Sequence, residues 1–361
     1  MRIVVVTPWY PTARSAHEGL FVAREARALA DAHEVEVIHL DWSRHDAERA
    51  QRTATQDGVH VSHMPLHRLS PRDYLRARRL VRAAAARSDV VHTHSLTGLL
   101  PWLFGRPTPA AWVHSEHWSA LTSPRTVSLP LRIALRVLRP LLRRPDIVIV
   151  ESSRLESAVR RVRTGPIVRV PCIVPTPAGI APRPRELRLV AVGGLIPRKG
   201  PRLAIRCVGE LRSRGVRATL TWVGDGPLRD AIESEIAACD LSDAITLVGS
   251  LDAEGVASEL NDASLFLLPT QGDNFCVAAA EALLHGRPIV SGAATGALDY
   301  TPADAGRFVS TQTPEAYADA VIDLYEKTAD LSATQIVAQV GDRFSPSSVR
   351  SEIEDVYREL S

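Results

Sequence analysis

The chain opens on Ile3-Val-Val-Val6, an unbroken β-branched run closed by Thr7-Pro8, the pattern of a strand buried on both faces of a sheet. A helical period follows from Gly19 to about Ala32. Further apolar runs at Val35–Leu40, Val90–His92, Ala111–His114 and Ile147–Val150 alternate with Arg- and Ala-rich helical stretches, Tyr74–Arg87 and Leu131–Arg144 among them. This alternation predicts a parallel sheet with helices on both faces.

From Pro171 to Pro184 the pattern breaks, with five prolines in fourteen residues that cannot donate ladder hydrogen bonds. The alternation then restarts. Leu189–Val192, Thr219–Val223, Ile245–Val248, Leu265–Leu268 and Pro288–Val290 read as strands, and Pro201–Arg212, Pro227–Ala238, Asn274–His285 and Pro314–Tyr325 as helices. We therefore expect an α/β protein of two doubly wound domains, 1–172 and 187–344, joined by a linker at 173–186. Ligands of such sheets bind at the carboxyl ends of the strands, which makes the cleft between the domains the expected site.

The composition of the 361 residues, 45% hydrophobic and 23% charged, is that of a globular protein. A net charge of +2 excludes nucleic-acid binding by bulk electrostatics, so an anionic partner must be met locally. Lys199 and Lys327 are the only lysines among 43 basic residues. The four cysteines lie at least thirty residues apart, without the close pairs of a zinc or dithiol site, and predict a reducing compartment. The N-terminal apolar run is too short for a signal peptide or membrane span, and we expect a soluble cytoplasmic protein.

Two segments carry chemistry. Val192-Gly-Gly-Leu-Ile-Pro-Arg-Lys-Gly200 joins a strand to a helix and gathers Arg198, Lys199 and backbone amides at a helix N-terminus, an anion site. It is not a P-loop, and a basic surface turn is the plain alternative. In the second, Asp273 and Glu281 bracket seven residues, and the tilt of helical side chains lets Glu281 lean toward a pocket that Asp273 lines. The plain alternative makes Asp273 an N-cap and Glu281 a solvated helical residue.

Taken in order, Leu268-Pro-Thr, Asp273-Asn-Phe, Glu281-Ala-Leu and His285-Gly-Arg-Pro-Ile-Val290 resemble the family-4 retaining glycosyltransferases of GT-B architecture, whose motif is Glu, seven residues, Glu. Val223-Gly-Asp-Gly-Pro-Leu-Arg229, Thr246-Leu-Val-Gly-Ser250, Asp89-Val-Val-His-Thr-His-Ser95 and Asp146-Ile-Val-Ile-Val-Glu-Ser152 extend the resemblance over nearly the whole chain. The resemblance implies that Lys199 holds a donor diphosphate and Glu281 the ribose. Asp273 would take the place of the acid on the donor sugar, with the amides of Asn274, Phe275 and Cys276 beside it. Gly249, Ser250 and Leu251 would sit by the base, and Gly19 would let backbone approach phosphate. His117, in Val113-His-Ser-Glu-His-Trp-Ser119, would contact the sugar. The C-terminal helix, about 345–361, would return to the first domain, which carries the acceptor.

Three departures stand out. Asp273 replaces the usual Glu, Gly194 stands where many members have Arg, and Asn274-Phe-Cys276 replaces Gly-Phe-Gly. Arg198 is the candidate substitute for the missing cation.

His92 and His94 share a strand face, and with His114 and His117 they raise zinc as a thought. The favoured expectation is no metal, with His114 structural and His92 and His94 orienting loops or touching acceptor. The basic amphipathic stretch Leu131–Arg144 fits a membrane surface, but packing on the sheet with its arginines solvated is the preferred expectation.

No Asp-x-Asp occurs in the sequence, so protein cations would replace a metal on the diphosphate. The expected activity is retaining, metal-independent transfer, by front-face attack, of a sugar from a nucleoside-diphosphate sugar, of UDP-glucose or UDP-N-acetylglucosamine type, to a hydroxyl acceptor. There is no separate cofactor, and both partners are small molecules. An epimerase or phosphorylase on the same scaffold, or a non-catalytic nucleotide-sugar-binding protein, is the alternative.

Overall fold

A computed structural model describes residues 1–12, 15, 18–42, 52–56, 58–67, 70–103, 105 and 110–360. The chain forms two compact units, Met1–Ile173 with Phe344–Ser361, and Val174–Arg343.

The first unit begins with β1 (Arg2–Thr7), α1 (Leu20–Ala30), β2 (Glu34–Asp41), β3 (Arg52–Gln56), β4 (Val59–Pro65) and α2 (Pro71–Ala85). It continues through β5 (Val90–His94), α3 (Ser95–Gly98), β6 (Ala111–Glu116), α4 (Leu129–Leu138), β7 (Ile147–Val150), α5 (Ser153–Arg160) and β8 (Ile167–Arg169). The strands run in the order β3-β4-β2-β1-β5-β6-β7-β8. Alternation along β1 builds two cores. Val4 and Val6 face α2, Leu135 of α4 and α5, whereas Ile3 and Val5 face the layer of α1. Each such buried aliphatic contributes about 1.5–3 kcal/mol of transfer free energy.

The sheet is not wholly parallel as expected, because β3 pairs antiparallel with β4. The polar interruptions His60, Ser62 and His63 hid β4 from the apolar-run pattern.

The second unit contains β9 (Leu187–Val192), α6 (Pro201–Ser213), β10 (Ala218–Val223), α7 (Arg229–Ala238), β11 (Ile245–Gly249), α8 (Ala253–Asp262) and β12 (Leu265–Leu268). It ends with α9 (Val277–Leu284), β13 (Ile289–Gly292), β14 (Gly306–Val309), α10 (Pro314–Lys327) and α11 (Ala333–Val340). Its parallel strands are ordered β11-β10-β9-β12-β13-β14. A final helix, α12 (Pro346–Arg358), belongs to the first unit, where Val349, Ile353, Val356 and Tyr357 are buried in the core beside α1.

The stretch expected as a linker is instead bound to the second unit from Val174 onward. Arg183 donates to the carbonyls of Ser264, Thr328 and Leu331, and fully buried Arg287 donates to Ala181, Leu260 and Asn261. The prolines cannot supply sheet hydrogen bonds, so two guanidinium groups fix the segment through its neighbours' carbonyls. This also explains the Arg of His285-Gly-Arg-Pro. Among the described residues no helix is long and apolar enough to cross a membrane.

Candidate functional site

Apart from the β3–β4 edge pair, the chain order reverses between β1 and β5 in the first unit's sheet and between β9 and β12 in the second unit's. The carboxyl ends of strands at such a reversal diverge and leave a crevice. Both groups of sequence-flagged residues lie there.

In the second unit, β9 leads into a single 3-10 turn, Pro197–Lys199, and β12 leads into Pro269–Asp273. Gly200 makes their approach feasible. Its φ is +72°, and a Cβ there would stand 2.2 Å from the Pro269 carbonyl oxygen.

The approach brings Lys199 Nζ to 2.8 Å from Asp273 Oδ2 and Arg198 Nη1 to 3.1 Å from Asp273 Oδ1. The Thr270 hydroxyl donates to the same carboxylate at 3.0 Å. Burial alone would raise the Asp273 pKa, but Lys199 and Arg198 overcome it and hold the carboxyl below its ordinary range. Asp273 is therefore not an N-cap, and Arg198 and Lys199 are not a solvated turn, since their side chains are only 22% and 15% exposed.

The helix expected from Asn274 starts at Val277, because Asp273 first bridges to Thr295 and Cys276 adopts φ +67°. That left-handed value accounts for the usual glycine at this position. Asn274, Phe275 and Cys276 are buried, and the Tyr300 hydroxyl donates to the carbonyls of Phe275 and Cys276, bracing the turn from behind. Burial pushes the Cys276 thiol up to about 12. Glu281 is half-buried within α9. Gly249 ends β11 with φ +76° and accepts from the Gly224 amide at 2.7 Å, followed by exposed Ser250 and half-buried Leu251.

In the first unit Gly19 caps α1 with φ +72°, and a Cβ would lie 2.4 Å from the Trp9 carbonyl carbon. Contact with the chain's own backbone thus already demands glycine there.

The four histidines converge at the carboxyl ends of β5 and β6. His117 Nδ1 meets Glu151 Oε1, and its Nε2 lies 3.1 Å from His94 Nδ1, the two rings being nearly parallel. His92 places Nδ1 2.7 Å from the Tyr357 hydroxyl and Nε2 2.7 Å from Ser115 Oγ. His114 contacts Thr93 and Glu116. His92 and His94 are fully buried, which overturns the expectation that they touch acceptor.

Burial lowers the pKa values of His92, His94 and His114. It would lower that of His117 too, but Glu151, Glu25 and Glu116 outweigh burial and raise it, favouring an imidazolium. Glu25, 13% exposed, is pushed up to about 7 by burial against the attraction of His117.

Glu25 Oε1, His92 Nδ1 and His94 Nε2 lie within 4.8 Å of one another, the group among the described residues able to converge on a metal ion. Tyr357 already occupies His92 Nδ1, however, while Glu25 Oε1 and His94 Nε2, 3.4 Å apart, lack hydrogen-bond geometry. Sequence reasoning missed Glu25, Glu151, Thr270 and Tyr357. Glu25 had a readable signal, since it interrupts the buried stripe Val22, Ala26, Leu29 of α1 with a carboxylate.

Comparison with known proteins places both halves. A model described as Glycosyltransferase Family 4 matches residues 19–177, and one described as Glycosyl transferases group 1 matches 186–327. An α-D-kanosaminyltransferase of Streptomyces kanamyceticus is 28% identical over 177 residues, 47% of this chain and 45% of the relative. The amylovoran biosynthesis glycosyltransferase AmsK of Erwinia amylovora is 34% identical over 118 residues, 31% and 29% of the two chains. The matches thus span less than half the length of these curated relatives. The structure of Anabaena Alr3699/HepE in complex with UDP and glucose shares the fold, with a TM-score of 0.77 over all of both chains at 17% identity. Two family models in tandem and a pair of parallel α/β sheets establish that the chain belongs to the family-4 glycosyltransferases of GT-B fold.

Proposed function

We propose that the protein transfers a hexosyl group from a nucleoside-diphosphate sugar, of UDP-glucose or UDP-N-acetylglucosamine type, to a hydroxyl of a small acceptor with retention of configuration. The observation that carries this reading is the Lys199–Asp273–Arg198 cluster at the β9/β12 reversal. Breaking a glycosyl phosphate bond places negative charge on the departing diphosphate, and preorganised cations in a half-buried site stabilise that charge. Asp273 compensates both cations, since an unpaired buried charge costs several kcal/mol. An arriving diphosphate takes over the cations and frees the Asp273 carboxylate to accept from a sugar hydroxyl. In this proposal Glu281 grips the ribose, and Gly249, Ser250 and Leu251 flank the base.

Lys199 and Arg198 supply the charge that a metal provides in other transferases, and the departing phosphate takes the acceptor proton in front-face attack. His117, held as an imidazolium by Glu151, is assigned to the sugar, as the family resemblance implies.

A thermal-shift panel of nucleoside diphosphates and their sugars tests the donor, with stabilisation by the UDP series expected. Transfer must require an acceptor, and Lys199→Ala and Glu281→Gln must weaken diphosphate and nucleoside binding respectively. Undiminished transfer by both variants overturns the assignment. Turnover without acceptor would indicate epimerisation, and stabilisation without any turnover a binding protein. The anomeric configuration of the product, read by proton NMR, decides retention.

A further inference from the structure

Helix α4 packs on the core of the first unit's sheet through Leu135, with Leu138 at its edge, and leaves a second apolar stripe outward. Only Leu135 is buried, while Leu129, Ile133 and Val137 are 64%, 57% and 71% exposed. Their spacing of four places them on one side of the helix, and Arg132, Arg136 and Arg139 form the adjoining row between that stripe and Leu135. From Pro124 to Arg144 the charged residues are six arginines and no acid. A cavity of about 390 Å³ adjoins the helix, walled by Arg132, Arg136, Arg139 and Arg161 over Leu121 and Ile133. Among the described residues none of these four arginines has a carboxylate partner, whereas Arg2, Arg87, Arg160, Arg202, Arg212 and Arg214 each pair with one.

We propose that α4 and the arginines around it form a docking surface for an anionic lipid bilayer. The aliphatic stripe would enter the headgroup boundary, and the guanidinium groups would meet lipid phosphates. Both halves of the surface argue for this occupant. A second copy of the chain seated symmetrically would set arginine against arginine with no acid to meet them. A nucleic acid would satisfy the arginines but leave three exposed aliphatic side chains in water. The proposal is independent of the donor assignment, since it uses none of those residues.

The test is cosedimentation of the full chain with vesicles of phosphatidylcholine alone and of phosphatidylcholine with phosphatidylglycerol, at rising salt. Binding to the anionic vesicles is expected, weakening with salt, with little binding to the neutral ones. Arg136→Gln with Arg139→Gln is expected to cut anionic-vesicle affinity about thirtyfold, from roughly fivefold per arginine. Ile133→Ser with Val137→Ser is expected to abolish binding. These side chains are exposed, so unchanged circular dichroism and melting should accompany the loss. Failure of the wild type to bind anionic vesicles at low salt overturns the proposal, as does binding indifferent to both pairs of substitutions. Concentration-dependent dimerisation abolished by the serine pair would assign the surface to a second copy and equally overturn it.

Discussion

Lys199 Nζ stands 2.8 Å from Asp273 Oδ2, so the cation expected to hold a diphosphate and the acid expected to hold the sugar are paired with each other. The pairing makes donor binding an exchange of partners. Asp273→Asn removes the competitor, and UDP affinity by calorimetry is expected to rise by roughly fivefold, about 1 kcal/mol, while transfer falls about a hundredfold. Lys199→Ala is expected to lower UDP affinity by roughly ten- to a hundredfold, the loss of a charge-assisted contact. Parallel loss of affinity in both variants would show that Asp273 does not compete for the cation.

The same geometry depends on Gly200, whose backbone lies against Pro269. Gly200→Ala imposes a left-handed alanine, about 1–2 kcal/mol, and a contact of 2.2 Å with the Pro269 oxygen that only separation of the two loops relieves. Destabilisation by at least about 2 kcal/mol in urea is expected, together with weaker UDP binding. Alanine at exposed Gly215, where nothing lies within 4 Å, controls for the conformational part alone.

The difference between what was legible in the sequence and what was not has a physical basis at particular residues. β12 and the inner stretches Ile3–Val6 of β1 and Leu189–Ala191 of β9 are continuous apolar runs because both faces are buried there, and such runs declare themselves. β4 was hidden by its histidines, and β3 is a polar edge strand paired with it. Lys199, Asp273 and Glu281 were found through ordered motifs, but the salt bridge between two of them, 74 residues apart, depends on β9 and β12 lying side by side and leaves no local trace. Glu151 was overlooked for the same reason, since it matters only through His117 beyond β6, whereas Glu25 left a local trace in the apolar stripe of α1. The amphipathic period of α4 predicts the packing on the sheet that Leu135 and Leu138 make, but not the exposure of Leu129, Ile133 and Val137, because a hydrophobic stripe records that a face is apolar and not which surface covers it.

Glu25 should make stability depend on pH. Its folded pKa of about 7 lies above the unfolded value of 4.5, so its contribution is complete below about pH 4.5 and is lost as pH rises through 7. The shift, in which the attraction of the His117 imidazolium already offsets part of the burial cost, corresponds to at most about 3 kcal/mol. His117, whose pKa is also raised, adds to the slope with the same sign. Glu25→Gln is therefore expected to match the wild type near pH 4 and to exceed it by about 1–3 kcal/mol near pH 9, measured by urea unfolding. Equal destabilisation at both pH values would mean that Glu25 is ionised and satisfied throughout.

The cysteines provide a check on both packing and backbone. All four are free thiols, of which Cys172, Cys207 and Cys276 are buried and Cys239 is exposed. Burial raises the Cys207 and Cys276 thiols to about 12 and Cys172 well above its ordinary value, withholding the thiolate that reacts with disulfide reagents. One equivalent of thiol is expected to titrate in the native chain, all four in urea, and none in native Cys239→Ser. At Cys276 the left-handed backbone adds a stereochemical test. Glycine relieves about 1–2 kcal/mol of strain but forfeits buried contacts and enlarges the unfolded ensemble, so Cys276→Gly is expected to stay within about 1 kcal/mol of wild type. Cys276→Val retains the strain and adds a β-branch against the surrounding core, with an expected loss of about 2–4 kcal/mol. If valine proved as stable as glycine, the turn could not be held in the left-handed conformation.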